Sequence, residues 1–336
     1  MIRWLCRVAL SIVGLSILLA IAGAAYQAVE TRADAARSPE SGRLVDSGGH
    51  RLNINCTGTG SPTVILEAGL GDLASEWKRV QPEIATFAHV CSYDRAGYES
   101  SDAGTFPRTS AQIAEELHTL LRNAEVAPPF ILVGHSFGGY SVRVYNGKYP
   151  NEVVGIVLVD ATQEDQYELL PPRWKEIGAA QLKRYESQAK FAPLFIDLGI
   201  ARVMLRARTL RGAAQGLNET SYLILQSKYL RARASELAAI QISAEQARAA
   251  GDFSAKPLIV LTAGRNADEV LRNGLNERDF DRFQRIWVDD LQMRLARLSA
   301  RGERIIVPDS GHDIPSERPD AIVSAVRKIR PALPVR

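Results

Sequence analysis

Pro129-Phe130-Ile131-Leu132-Val133-Gly134-His135-Ser136-Phe137-Gly138-Gly139-Tyr140 is the stretch on which the reading of this chain turns. Four apolar residues, Phe130 to Val133, have the character of a buried strand. Gly134-His135-Ser136-Phe137-Gly138 follows at once, and Tyr140 to Lys148 carries helical spacing. A bare Gly-x-Ser-x-Gly arises by chance in roughly one chain in ten of this length, so the weight falls on the strand before it and the doubled glycine within it. A serine on a sharp strand-to-helix turn stands clear of the backbone, and glycines on either side let neighbouring backbone approach. The helix behind the turn aims unpaired N–H groups at any negative charge that develops there. Ser136 is therefore the candidate nucleophile.

The chain has 336 residues, 46% of them hydrophobic and 24% charged, enough for one large domain with an insertion. A net charge of +3 and the absence of a basic stripe argue against a nucleic-acid partner. Three cysteines are too few for a disulfide scaffold, and no Cys/His cluster has metal-ligand spacing. Neither a metal nor an organic cofactor is expected. Residues 1–27 look like a signal peptide or membrane anchor. Val8 to Tyr26 is uncharged and follows Arg3 and Arg7, Ala20-Ile21-Ala22 and Ala22-Gly23-Ala24 have the small-x-small form of a cleavage site, and the length approaches a bilayer span. Export is expected in either case, with membrane attachment through residues 8–26 if they are kept. Residues 28–42, broken at Ser38-Pro39, read as a linker.

Downstream, apolar runs alternate with helical segments. Arg43–Asp46 and His50–Cys56 suggest a hairpin. Thr63–Glu67, His89–Asp94, the strand before Ser136, Val153–Val159, Pro257–Thr262 and Arg304–Val307 follow as further strands. Ser110 to Asn123 is an amphipathic helix, Trp77 to Phe87 reads as helical, a further helix is expected around Phe283 to Leu298, and Ala321 to Ile329 is a closing helix. Such alternation implies an α/β fold with a mostly parallel central sheet flanked by helices. From Gln163 to about Asp252 no strand is evident, so 163–252 is read as a helical insertion in a domain spanning 43–336, with its core at 43–162 and 253–336. In it, Phe191 to Ile196 could line an apolar pocket, and Arg202, Arg206, Arg208 and Arg211 form a basic run, read as a solvated helix face or as a contact for lipid headgroups.

Four motifs in order, Glu67-Ala68-Gly69-Leu70-Gly71, Tyr93-Asp94-Arg95-Ala96-Gly97-Tyr98, Gly134-His135-Ser136-Phe137-Gly138-Gly139 and Ser310-Gly311-His312-Asp313-Ile314-Pro315, resemble those of the α/β-hydrolase superfamily, and within it bacterial serine hydrolases with a helical cap. The likeness covers about Arg43 to Ile329. It implies that His312 takes the proton of Ser136 and that an acid orients His312. Asp160, ending the strand after the nucleophile unit, matches capped relatives such as the haloalkane dehalogenases; Asp268 is the alternative, one residue later than the usual position. The resemblance further implies an oxyanion hole from the backbone amides of Phe137 and Leu70, a structural turn at Asp94 and Arg95, and, from the superfamily's strand order, a disulfide between Cys56 and Cys91. Serine at the elbow favours cleavage of carboxylic esters or related small acyl substrates through an acyl-enzyme. A lactonase, thioesterase, amidase or aminopeptidase would use the same residues, and a non-catalytic ligand-binding protein on this fold is the reading from another class.

Overall fold

The computed structural model describes residues 2–37, 42–210, 223–265 and 274–330. Their contacts divide the chain into two compact units, one of Gly42–Lys183 with Ala232–Arg336 and one of Met1–Ser41 with Arg184–Arg231. The helical stretch 163–252 is thus shared, its two ends grouping with the sheet and its middle with the N-terminus.

The first unit is built on an eight-stranded sheet: β1 (Arg43–Asp46), β2 (Arg51–Thr57), β3 (Thr63–Glu67), β4 (Val90–Tyr93), β5 (Phe130–His135), β6 (Val153–Val159), β7 (Leu258–Ala263) and β8 (Gly302–Val307), in the order β1-β2-β4-β3-β5-β6-β7-β8. The β1–β2 and β2–β4 pairs are antiparallel and all others parallel. This is the α/β-hydrolase fold expected from the sequence. The parallel strands β3, β5, β6 and β7 are nearly continuous apolar runs because both faces are covered. Ile65, Leu132, Ile156, Leu158 and Val260 pack on one side with the helices Ser110–Asn123 and Gly138–Lys148. Val64, Leu66, Val133, Val157 and Leu261 pack on the other with Trp77 and the helix Pro319–Ile329. Successive residues of one strand serve opposite faces, as the two-residue period of a strand requires. Cys56 lies opposite Cys91 across β2 and β4, and the two are joined in a disulfide.

Two helical readings differ from the sequence expectation. The segment around Phe283 to Leu298 is broken into the helix Glu277–Arg285, a π-helical turn at Ile286–Leu291 and the helix Gln292–Ala296. Trp77 to Phe87 becomes a 3-10 turn at Ala74–Arg79 followed by the short helix Gln81–Ala85, because Pro82 sits at the start of a helix and not inside one.

The second unit starts with one long helix, Ile2–Arg37, apolar and long enough by composition to cross a membrane. Residues 28–37, read as linker, continue this helix; Ala28, Glu30, Ala33, Ala35 and Ala36 are good helix formers. The ends of two further helices, Pro172–Asp197 and Ile200–Leu210, meet at Leu198-Gly199 in the same unit. Arg202 and Arg206 of the basic run are not a uniform solvated face: Arg202 is 1% exposed and bonds Gln27 and Asp34, and Arg206 pairs with Glu30. Phe191, Leu194 and Phe195 are exposed, not enclosed. Arg211 lies outside the described residues.

Candidate active site

Three side chains converge at the C-terminal ends of the parallel strands. Ser136 follows β5 directly, Asp160 follows β6, and His312 lies in the turn after β8. His312 Nε2 is 3.0 Å from Ser136 Oγ, and His312 Nδ1 is 2.7 Å from Asp160 Oδ2. β5 and β6 are neighbours, so Ser136 and Asp160 come side by side, and the longer loop after β8 carries His312 back across β7 to lie between them. Asp268 lies outside the described residues.

The backbone is bent to make this possible. Ser136 has φ +50° and Asp160 φ +37°, left-handed conformations that a non-glycine residue adopts at a cost. At Ser136 the neighbours hold the bend. Its amide donates to Val159 O, and its carbonyl accepts from both the amide and the hydroxyl of Thr162. Gly134 and Gly138 are forced: a Cβ on Gly134 would stand 2.8 Å from Gly138 O, and one on Gly138 2.6 Å from Ala68 O. A larger residue at Gly138 would push the elbow off the end of β3, and one at Gly134 would push the helix behind Ser136 off β5.

The turn after β3 lies against the elbow as well. A Cβ on Gly69 would be 3.4 Å from Ser136 Cβ. Leu70 follows in this turn, while Phe137, buried, opens the helix behind Ser136. Neither the Leu70 nor the Phe137 amide donates a hydrogen bond among the described residues, which suits amides reserved for an external oxyanion. The turn is held by Arg95, whose guanidinium donates to Ala68 O at 2.8 Å, Gly69 O at 2.6 Å, Glu67 at 2.7 Å and Glu236 at 2.9 Å. Burial works against that charge, but Glu236 and Glu67 more than restore it. Asp94 Oδ1 accepts from the amide of Ala74 at 2.7 Å. Asp94 and Arg95 thus brace the loop from behind.

Three contributors had no signal in the sequence. Trp287, carried by the π-helical turn, donates Nε1–H to Asp160 Oδ1 at 2.9 Å, and the amide of Ala263 donates to the same oxygen at 3.0 Å. The wholly buried Asp160 carboxylate therefore has both oxygens satisfied, one of them by His312. His135 donates Nε2–H to the backbone carbonyl of His312 at 2.9 Å, and its Nδ1 faces Glu76 in an ion pair. Burial alone would lower its pKa; Glu76, Asp72 and the His312 carbonyl outweigh it and hold His135 at about 9, so it is an imidazolium at neutral pH. Asp72, Glu76 and His135 place potential ligand atoms within 4.8 Å of one another. With His135 charged and occupied at both nitrogens, however, the cluster works as a charge pair. Cys56, Cys91 and His89 are also grouped, but both thiols are spent in the disulfide.

This arrangement can do nucleophilic chemistry. His312 is placed to take the Ser136 proton, Asp160 to hold the imidazole in the needed tautomer and to stabilise its cation, and the elbow and turn amides to receive negative charge.

A model of the alpha/beta hydrolase family matches residues 64–325. An AB hydrolase superfamily protein of Gibberella zeae is 35% identical over 113 residues, 32% of this chain and 35% of that one. The chain spans 20% and 59% of the length of two further curated relatives. Among solved structures, Cfl2 of Burkholderia cenocepacia superposes with a TM-score of 0.62 at 21% identity, over 85% of this chain and 94% of its own. A thermophilic esterase of Thermogutta terrifontis gives a TM-score of 0.59 at 21% identity, over 87% of this chain and 99% of its own. At such identities the superpositions speak for the fold.

Proposed function

The chain belongs to the alpha/beta hydrolase family, and from that premise we propose that it is a serine hydrolase cleaving carboxylic esters or related small acyl compounds, attached to a membrane by its N-terminal helix with the hydrolase unit outside the cytoplasm. The observation that carries the reading is the unbroken line from Ser136 Oγ through His312 to Asp160, at 3.0 and 2.7 Å.

In this mechanism His312 Nε2 removes the hydroxyl proton as Ser136 Oγ attacks the acyl carbon. Charge collects on the former carbonyl oxygen and is met by the amides of Phe137 and Leu70. The imidazolium, held by Asp160, returns the proton to the leaving alcohol, and an acyl-Ser136 remains. Water, deprotonated by the same His312, attacks it and releases the acid. The serine nucleophile with His312 as base suits an ester, while the same residues would serve a lactone, thioester or amide. Arg3 and Arg7 before the apolar run support a cytoplasmic N-terminus, and a disulfide between Cys56 and Cys91 suits an oxidising compartment.

The test is labelling of the whole protein with a fluorophosphonate, read by intact mass, beside Ser136→Ala. One adduct on the wild type and none on the variant is expected, together with loss of at least about 10⁴-fold in ester turnover. A folded wild type that takes no adduct overturns the reading in favour of a ligand-binding protein.

A further inference from the structure

The N-terminal unit pairs charges along its first helix and leaves a set of large apolar side chains bare. Arg202 is 1% exposed, with Nε donating to Gln27 Oε1 at 3.0 Å and Nη1 to Asp34 Oδ2 at 2.6 Å. Arg206 pairs with Glu30 at 2.7 Å, and Gln27 Nε2 donates to Leu225 O at 2.9 Å. In contrast, Phe191, Leu194, Phe195, Ile200, Val203 and Met204 are between 41% and 64% exposed. They form two sets at i, i+3, i+4 spacing, one on each side of the Leu198-Gly199 turn, so each set makes a single stripe. Arg202, Arg206 and Thr209 lie on a different face of the second helix from Val203 and Met204.

The level of each feature along the N-terminal helix decides what the stripes are for. The turn meets that helix at Gly23: a Cβ there would stand 2.2 Å from Leu198 O, and one on Gly199 2.6 Å from Gly23 O. Residues before Gly23, among them Leu15, Leu18, Leu19 and Ile21, are exposed and apolar. Gln27, Glu30 and Asp34, which hold the arginines, lie beyond it by roughly 6 to 17 Å at 1.5 Å per residue. The N-terminal helix is therefore graded along its axis, with bare apolar surface up to the turn and paired charges past it, and the two stripes flank the turn at that boundary, Val203 and Met204 lying beside Arg202 where the charged level begins. A water-soluble surface has no reason for that order, whereas an apolar-to-polar boundary does.

We propose that the helical hairpin around Leu198-Gly199 is a second membrane element, whose two apolar stripes sit in the acyl and headgroup boundary of the leaflet from which the N-terminal helix emerges. Lys190, its ammonium 5.3 Å from the Phe191 ring, is placed to reach back to the headgroups. The hairpin then fixes how deep the unit rides, and the Arg202 clamp fixes the hairpin to the helix. The inference rests on the reading of the N-terminal helix as membrane-spanning.

The experiment separates the two. In the full chain carrying Cys6→Ser, nitroxide labels are placed by Ile12→Cys, Leu194→Cys, Val203→Cys and Arg122→Cys. The protein is reconstituted in vesicles of phosphatidylcholine and phosphatidylglycerol, and accessibility to oxygen and to a water-soluble nickel chelate is measured. Labels at 194 and 203 should resemble that at 12, with nickel access several-fold below that of the exposed Arg122 position. Lipid-like values at 12 with water-like values at 194 and 203 overturn the hairpin proposal alone, and water-like values at 12 overturn the membrane reading and the proposal together. Spin–spin broadening at 194 that disappears on dilution with unlabelled protein also overturns it, since a second copy would then cover the stripe.

Discussion

Arg95 and Arg202 are both buried, and they are buried for different ends. Arg95 sits among two carboxylates, Glu67 and Glu236, and two carbonyls of the turn after β3. It fixes a loop that lies against the nucleophile. Arg202 sits among Gln27, Thr31 and Asp34, and fixes one helix to another so that apolar surface stays outward. Removing a guanidinium from water costs several kcal/mol before pairing repays it. In the hydrolase unit the return is a fixed turn beside the nucleophile; in the N-terminal unit it is the attachment of one helix to another. The comparison teaches that buried charge by itself says nothing about chemistry: its neighbours do.

The sharpest way to break the comparison is at Asp160. Asn at this position can still accept from Trp287 and from the Ala263 amide through its oxygen, so the fold should lose little. Its NH₂ would then face His312 Nδ1, which could only accept, and Nε2 would keep its proton and be unable to take that of Ser136. Asp160→Asn should therefore lower kcat by about 10⁴ with a melting temperature near that of the wild type, while Asp268→Asn stays within about threefold of it. The reverse pattern in steady-state kinetics would move the acid to Asp268.

A second variant tests the other arginine. Arg202→Met keeps the length and removes the charge, leaving Gln27 and Asp34 without this partner. A cost of about 3 kcal/mol is expected, read as an increase of about a hundredfold or more in hydrogen exchange of the Ile200–Leu210 amides. Amides of β3, β5 and β6 should keep their protection, and fluorophosphonate labelling of Ser136 should be unchanged. Loss of labelling would mean that the two regions are not the separate devices described above.

Much of the first region was legible in the sequence because its signals are local. Phe130 to Gly138 states strand, turn and close approach within nine residues, and the apolar runs of β3, β6 and β7 mark strands covered on both faces. What escaped was long-range. Trp287 meets Asp160 across 127 positions, and nothing near it announces a π-helical turn. His135 sits in the motif with no sign of its role; its charge depends on Glu76, far upstream, and its contact on the carbonyl of His312, 177 positions away. Arg202 showed a basic helix face, and only the fold shows that the face is turned onto Gln27 and Asp34. The linker reading at 28–37 failed for the same reason: those residues lack an apolar stripe of their own, and polar pairs to a distant helix supply what a stripe would.

The smallest expected effect is also the most specific. His135 is raised to about 9 against burial, chiefly by Glu76, so the protonated form is the one the fold favours. A raised histidine contributes stability that is complete below its unfolded value of about 6.5 and is lost as pH rises through about 9. If its charge also steadies the loop bearing His312, kcat/KM should fall along an alkaline limb near the same pH. Glu76→Gln removes the main support while keeping the size, so the limb should move toward neutrality and leave the variant about tenfold below wild type near pH 8. As the pH falls and His135 of the variant regains its proton, the gap between the two proteins should narrow. A structural role alone would depress activity equally at every pH, and an unshifted limb, with the His135 ring signal titrating at the same pH in both proteins by NMR, would remove His135 from the machinery.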